Sequence, residues 1–116
     1  MKIKTSELIG PALDWAVAKC EYDELAAKNI QYPQYAKHYP TISPSTDWAQ
    51  AGPIIEREWI NVVKHENGTD WKAAAEVWML DDGHPSVGET PLIAAMRCYV
   101  ESKLGDTVEV PDEVTP

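Results

Sequence analysis

The amino-acid sequence predicts a small α+β domain, in which about three helices pack with a small antiparallel sheet. The sheet is predicted from a central hairpin and short strands at the two ends of the chain. The hairpin is indicated by Asn67 and Gly68 between two apolar segments, and the helices by stretches with capping residues at their ends. An apolar fraction of 44% over 116 residues is enough for one core.

The chain is interpreted as one domain over residues 1–110, followed by a frayed C-terminal tail over 111–116. Tyrosines and prolines without helical periodicity fill residues 23–44, which predicts an irregular insertion within the domain.

The first predicted elements are a short edge strand from Lys2 to Thr5 and a helix that begins at Gly10 and Pro11. Apolar side chains recur at helical spacing and are expected to face the core: Leu13, Val17 and Cys20. Trp15 lies almost opposite this stripe, so we expect the following loop to cover it.

A second helix is predicted to begin near Ser45 or Thr46, either of which is a natural N-cap, and Asp47 would meet its positive end. Pro53 cannot donate to the carbonyl four residues earlier, so we expect a kink or a restart there.

The segments WINVVK and DWKAAAEVW are predicted to be the two hairpin strands, the second reaching from Trp71 to Trp78. The following DDGHPSVGE is interpreted as a polar loop. Thr90 and Pro91 then begin the clearest helix, which Gly105 ends and which should be well buried. Residues 107–110 are predicted to form a last short strand.

The charge of the chain is −9, from 19 acidic and 10 scattered basic residues. A surface of this sign repels phosphates, so no direct binding to nucleic acid is expected. Cys20 and Cys98 have no metal or redox spacing and are predicted to be buried, reduced and poorly reactive. The start MKIKTSEL lacks a signal-peptide core and no apolar run could span a bilayer, so a cytoplasmic location without membrane attachment is expected.

Five polar residues around the second predicted strand could form a metal-like set: His65, Glu66, Asp81, Asp82 and His84. Their spacing matches no known metal motif, and no pair of carboxylates or cysteine–histidine pair is selected by its spacing. We therefore predict no metal, no cofactor and no catalytic residue, and an enzyme is the less favoured interpretation.

The segment STDWAQAGPIIE is the sharpest candidate for a binding site, with Asp47, Trp48, Gln50 and Glu56 as its predicted binding residues. A helix N-terminus offers amides, and tryptophan offers a flat apolar face. The favoured interpretation is that Thr46 and Asp47 only cap the helix and Trp48 only packs, in which case Trp48→Ala would lower the melting temperature sharply.

Three strings, ALDWAVAKCE, STDWAQAGPIIERE and TPLIAAMRCYVESKLGD followed by VEVP, together resemble the NinX-like family of phage and prophage proteins. The order of elements also resembles the phage ABA sandwich domains, which implies helices on both faces of a small sheet. Ala51 stands where a second glycine is expected before GPIIE. The resemblance implies a phage or prophage gene expressed in a bacterial host, with no known activity or catalytic residue to transfer.

From the acidic surface and the surplus of aromatic residues we predict an accessory module that binds a host or phage protein in the host cytoplasm. One alternative is an acidic decoy that mimics DNA and inhibits a nucleic-acid-binding enzyme, which a row of carboxylates at phosphate-like spacing would favour. The other is an enzyme of unrecognised type, which a deep pocket with convergent polar groups would favour.

Overall fold

The computed structural model describes residues 1–28, 39–81 and 83–115, with the side chains of residues 24–28 excepted. Three α-helices are present in these ranges: α1 Gly10–Lys28, α2 Trp48–Glu58 and α3 Pro91–Leu104. Five strands accompany them: β1 Lys2–Lys4, β2 Asn61–Lys64, β3 Trp71–Ala74, β4 Ser86–Gly88 and β5 Thr107–Glu109. The α+β class predicted from the sequence is confirmed.

The strands form two small antiparallel sheets, where the sequence predicted one. In the first sheet β1 pairs with β5, and Ile3 lies opposite Val108. The second sheet has the order β2-β3-β4. Thr5 draws the two chain ends together, because its amide donates to the Asp106 carbonyl at 2.8 Å and its hydroxyl to the Gly105 carbonyl at 2.6 Å.

Helix α3 occupies the centre of the molecule and begins and ends where the sequence predicted. The Thr90 hydroxyl accepts from the Ile93 amide at 3.1 Å, Pro91 fills the first turn, and the amide of Gly105 donates to the Glu101 carbonyl at 2.9 Å. α3 contacts α1, α2 and strands of both sheets. Eight of its 14 residues are buried: Leu92, Ile93, Ala94, Ala95, Met96, Cys98, Tyr99 and Val100.

Helix α1 buries the predicted stripe of Leu13, Val17 and Cys20 against this centre. It continues to Lys28, past the start of the predicted irregular insertion at residue 23, and an ion pair between Lys19 and Asp23 at 3.0 Å supports the added turn. Residues 29–38 of that insertion lie outside the described residues. Trp15 is covered as predicted, since the Tyr39 ring meets it edge-on at 5.6 Å.

The last residues of the domain turn back onto α1. Asp112–Val114 form a short 3₁₀ turn that contacts α1, and Val114 packs against the core.

Helix α2 differs from the prediction at its start and at Pro53. Asp47 is the N-cap, in place of Ser45 or Thr46, and its carboxylate accepts from the Ala49 amide at 2.9 Å. The helix runs through Pro53 without a restart. Pro53 lies on the exposed side of α2, where the carbonyl it leaves unpaired can reach water, while Ala51 and Ile54 are buried.

The hairpin is confirmed, with Lys64 opposite Trp71 and Gly68 at a φ of 81°. The Asn67 side chain accepts from the amides of Thr69 and Asp70, both at 3.0 Å, which holds the turn.

Strand β3 ends at Ala74, earlier than predicted, and a 3₁₀ helix follows at Val77–Leu80. Alanine has a low strand propensity, which agrees with this early end. Strand β4 lies inside the predicted polar loop, where the sequence showed no strand. It depends on Gly88, because a Cβ there would lie 2.6 Å from the Ala94 amide nitrogen.

The packing interpretation of Trp48 is wrong, because 59% of this residue is exposed. The free energy of unfolding of Trp48→Ala should therefore stay within about 0.5 kcal/mol of the parent value. Thermal melts of the two proteins check this, and a sharp loss of melting temperature would show that Trp48 packs in solution.

The cysteines are both buried, and burial next to Glu101 raises the pKa of the Cys98 thiol to about 11. At neutral pH the Cys98 thiol should react about a hundredfold more slowly than an unfolded cysteine, and the rate should rise as the pH approaches 11. Timed thiol labelling with and without denaturant measures this, and rapid native labelling at neutral pH would contradict it.

Candidate functional site

The residues predicted to bind a partner are divided between two roles. Asp47 and Gln50 are engaged in local hydrogen bonds, since the Gln50 amide group donates to the Asp47 carboxylate at 2.9 Å. The Gln50 side-chain oxygen accepts from the Ser43 amide at 2.8 Å, and its nitrogen donates to the Ser43 hydroxyl at 3.1 Å. These contacts order the turn that leads into α2, which limits what Gln50 can offer to a partner.

Trp48 and Glu56 are both exposed, but the structure does not bring them together. They are separated by eight positions, or about 12 Å along the helix axis. Trp48 begins α2 and Glu56 lies near its other end. A role for either in binding remains a prediction.

A more unusual tryptophan ends α2. Trp59 has a left-handed backbone, with φ 57° and ψ 40°, and is the one described residue other than glycine with a positive φ. The Ile60 amide donates to the Ile55 carbonyl at 3.0 Å, and the Trp59 amide to the Glu56 carbonyl at 3.4 Å. This is the Schellman arrangement, in which glycine usually occupies the left-handed position.

Trp59 is also 82% exposed, the highest value among the large apolar residues described. A left-handed backbone costs a residue with a side chain about 1 kcal/mol or more relative to glycine. The folded protein therefore contains a strained backbone at Trp59 and also leaves the indole ring of this residue in water.

Two further exposed side chains follow β3, at the end of the hairpin where Trp59 precedes β2. Asn61 is opposite Ala74, and its side chain donates to the carbonyls of Ala74 and Ala75 at 3.2 and 3.3 Å. The chain before Asn61 and the chain after Ala74 thus leave the β2–β3 ladder together. After Ala74 come Val77 and Trp78, which are 66% and 63% exposed. We call Trp59, Val77 and Trp78 the aromatic end.

The sequence pattern did not indicate the aromatic end, because Trp59 and Trp78 both fall inside predicted strands. Trp59 directly follows the polar run Glu56 to Glu58, without the glycine that commonly ends a helix. Trp78 follows the alanine run that weakens the second strand. These two local departures were the available indications.

Lys72 supports the 3₁₀ helix that carries Val77 and Trp78 of the aromatic end. Only 4% of Lys72 is exposed, and its ammonium group pairs with Glu66 in the hairpin turn and with Asp81 at 3.3 Å. The hydrogen bond with Glu66 raises the pKa of Lys72 and lowers the pKa of Glu66. The hairpin turn, through Glu66, and the end of the 3₁₀ helix, through Asp81, are thereby both joined to the outer face of β3.

The set of five possible metal ligands is only partly assembled. Glu66 and Asp81 meet at Lys72, and Asp82 lies outside the described residues. In the part of the chain that the structure describes, no three histidine, cysteine or acidic side chains are grouped to hold a metal ion.

An open groove of about 540 Å³ lies between β4, α3 and the turn after β1. Four carboxylates line it: Asp70, Glu89, Glu101 and Asp106. The Arg97 guanidinium group, also in the lining, donates to the Leu8 carbonyl at 2.8 Å and to the Val87 carbonyl at 2.7 Å. Burial lowers the pKa of Arg97, and the nearby Glu89 charge opposes that shift. The groove is suited to a basic group.

A second cavity of about 250 Å³ includes Cys98 and His84 in its lining, the pair of residue types that a thiol nucleophile needs. The raised pKa of Cys98 keeps the thiol protonated at neutral pH. At neutral pH this cavity therefore holds a protonated thiol and not a thiolate.

None of the helices in the described ranges combines the length and apolar character that crossing a bilayer requires.

Comparisons with known proteins identify the family. A family model described as Bacteriophage P22, NinX matches residues 4–103. That range contains α1, α2, the three-stranded sheet and all of α3 except its last residue, Leu104. The search of curated proteins gave no match. The resemblance drawn from the three sequence strings is thus confirmed, and the chain belongs to the bacteriophage P22 NinX family.

Proposed function

We propose that this phage accessory protein acts by binding another protein through the aromatic end, in the cytoplasm of the bacterial host. The conformation and exposure of Trp59 carry the proposal. Tryptophan is the residue most enriched at energetic hot spots of protein interfaces. The three members of the aromatic end are also the most exposed large apolar residues that the structure describes.

Stability alone does not account for a tryptophan at position 59. Glycine would adopt the left-handed backbone without strain, and an 82% exposed indole adds little packing to the core. Local choices that oppose stability concentrate at functional sites. A partner that covers Trp59 would supply the missing burial.

The charge of the chain indicates what surrounds the partner's apolar patch. The net charge is −9, and Glu56 and Glu76 are exposed close in sequence to the aromatic end. Complementary potentials accelerate association and select partners. The proposed partner therefore presents an apolar pocket for tryptophan with a basic rim.

The decoy alternative also predicts a basic partner, and the four carboxylates of the groove support it. In a decoy those carboxylates would supply most of the affinity. At the aromatic end, burial of apolar surface would supply it instead, and the two mechanisms differ in their response to salt.

The first test replaces Trp59 with glycine, which should separate binding from stability. Trp59→Gly relieves the left-handed strain, so the free energy of unfolding should rise by up to about 1 kcal/mol and the melting temperature by a few degrees. The partner is first captured from infected host cells with the parent protein and identified. Trp59→Gly should then fail to bind this partner. Thermal melts and binding titrations with the purified partner measure both.

Trp48→Ala is the matched control, since it removes another exposed tryptophan from the opposite end of α2. It should leave the affinity unchanged. If Trp48→Ala abolishes binding while Trp59→Gly does not, the site predicted from the sequence replaces the aromatic end.

A second prediction concerns salt. If the aromatic end carries the interaction, raising the salt from about 0.05 M to about 0.5 M should change the affinity for the purified partner by less than about tenfold. Titrations across that range measure the slope. A loss of several orders of magnitude would favour the decoy.

A further inference from the structure

The three-stranded sheet has two edges, and its register shows which backbone groups point outward from β2. Antiparallel pairs alternate between hydrogen-bonded and non-hydrogen-bonded positions. His65 and Asp70 form a bonded position, because the His65 amide donates to the Asp70 carbonyl at 2.9 Å. Val63 and Asn61 follow as bonded positions, so the amides and carbonyls of Val62 and Lys64 point away from β3.

The opposite edge is protected. Val87 lies opposite Lys72 at a non-bonded position of β4, and its carbonyl points outward. The Arg97 guanidinium group donates to that carbonyl at 2.7 Å, which satisfies it within the molecule. A strand added beside β4 would have to displace Arg97.

The β2 edge has no such cover among the residues that the structure describes. None of the hydrogen bonds found there reaches the outward amide or carbonyl of Val62 or Lys64. Unprotected edges are templates for pairing with another chain. Trp59 stands three residues before Val62, directly before this edge.

We infer that β2 pairs with an extended segment of the partner protein, which becomes a fourth strand of the sheet beside the aromatic end. This inference rests on the proposed function and specifies how the partner binds. In such strand addition, backbone hydrogen bonds supply affinity and neighbouring side chains supply specificity. Val62 and Lys64 offer two donors and two acceptors, and Trp59 offers the apolar contact.

Charge selects a basic segment of another protein over a second copy of this chain. Two copies would bring together chains of charge −9 each, with the exposed Glu56 before β2 and the Lys72-paired Glu66 after it in sequence. The base on the strand is Lys64, and its ammonium group lies 5.9 Å from the centre of the Trp71 ring. A segment with alternating lysines carries the charge opposite to the −9 of this chain and is attracted to it.

The first experiment uses a short capped peptide of alternating lysine and valine as the probe, added to isotope-labelled protein. NMR should show saturable shifts centred on Val62 and Lys64, and slowed exchange of their two amides. A peptide of alternating glutamate and valine should bind at least roughly tenfold more weakly. Absence of shifts at these amides at millimolar peptide, or shifts centred elsewhere, would contradict the inference.

The second experiment removes one outward donor. Lys64→Pro deletes the Lys64 amide, while the β2–β3 ladder keeps its own donors at Asn61 and Val63. Lys64→Thr is the control, because it loses the same charge but keeps the amide. Lys64→Pro should weaken the peptide roughly tenfold or more relative to Lys64→Thr, with both variants folded by circular dichroism. Equal affinities would overturn the inference, and if Lys64→Pro does not fold, the amide-exchange measurement on the parent decides.

Failure of this inference can be distinguished from failure of the proposed function. If the purified partner depends on Trp59 but binds Lys64→Pro and Lys64→Thr equally, the aromatic end stands and strand addition is wrong. If the peptide pairs with β2 but the partner ignores Trp59→Gly, the aromatic end is wrong. A dimer in sedimentation that Lys64→Pro dissociates would show a second copy on this edge and would contradict a basic partner segment.

Discussion

The fold depends on the need to cover α3 on nearly all sides. Eight of its 14 residues are buried, so no single layer of structure could remove its apolar surface from water. Each remaining element supplies part of the cover: the three-stranded sheet, the terminal sheet through β5, and helices α1 and α2. The short strands are stable because they pack on this helix, since an isolated pair of strands is marginal in water and needs further strands with an apolar face, or a helix, to pack against.

The three helices meet at Tyr99, and this junction also determines the position of Trp59. Tyr99 is fully buried, and its hydroxyl lies 3.4 Å from Arg57 Nη2, which also pairs with Glu21 of α1 at 2.5 Å. Burial raises the pKa of Tyr99, so its hydroxyl stays neutral. The hydrogen bond to Glu21 raises the pKa of Arg57, so its guanidinium group stays charged. The last turn of α2 is therefore held from two sides, two residues before the strained Trp59. A rigid, preformed anchor reduces the entropy lost when a partner binds.

The candidate surface was less predictable than the fold, because it depends on which apolar residues remain uncovered. Trp48 begins α2 and Trp59 follows its last residue, and neither the type of these residues nor their spacing in the sequence indicates how exposed each one is. The core positions of α2 are already filled by Ala51 and Ile54, which leaves Trp48 outside the packing that the sequence suggested. Val77 and Trp78 were assigned to a strand that in fact ends at Ala74. Strand β4 was missed because three residues in a polar loop carry no measurable periodicity.

The sequence by itself determined the elements whose information is local. Thr90, Pro91 and Gly105 bound α3, Asn67 and Gly68 select the hairpin, and the presence of three strings in a particular order indicated the family. Tertiary structure alone decided the division into two sheets, the left-handed conformation of Trp59 and the open edge of β2. Caps and turns are governed by contacts within a few residues, whereas burial and edge pairing depend on residues distant in sequence that meet only in the folded chain.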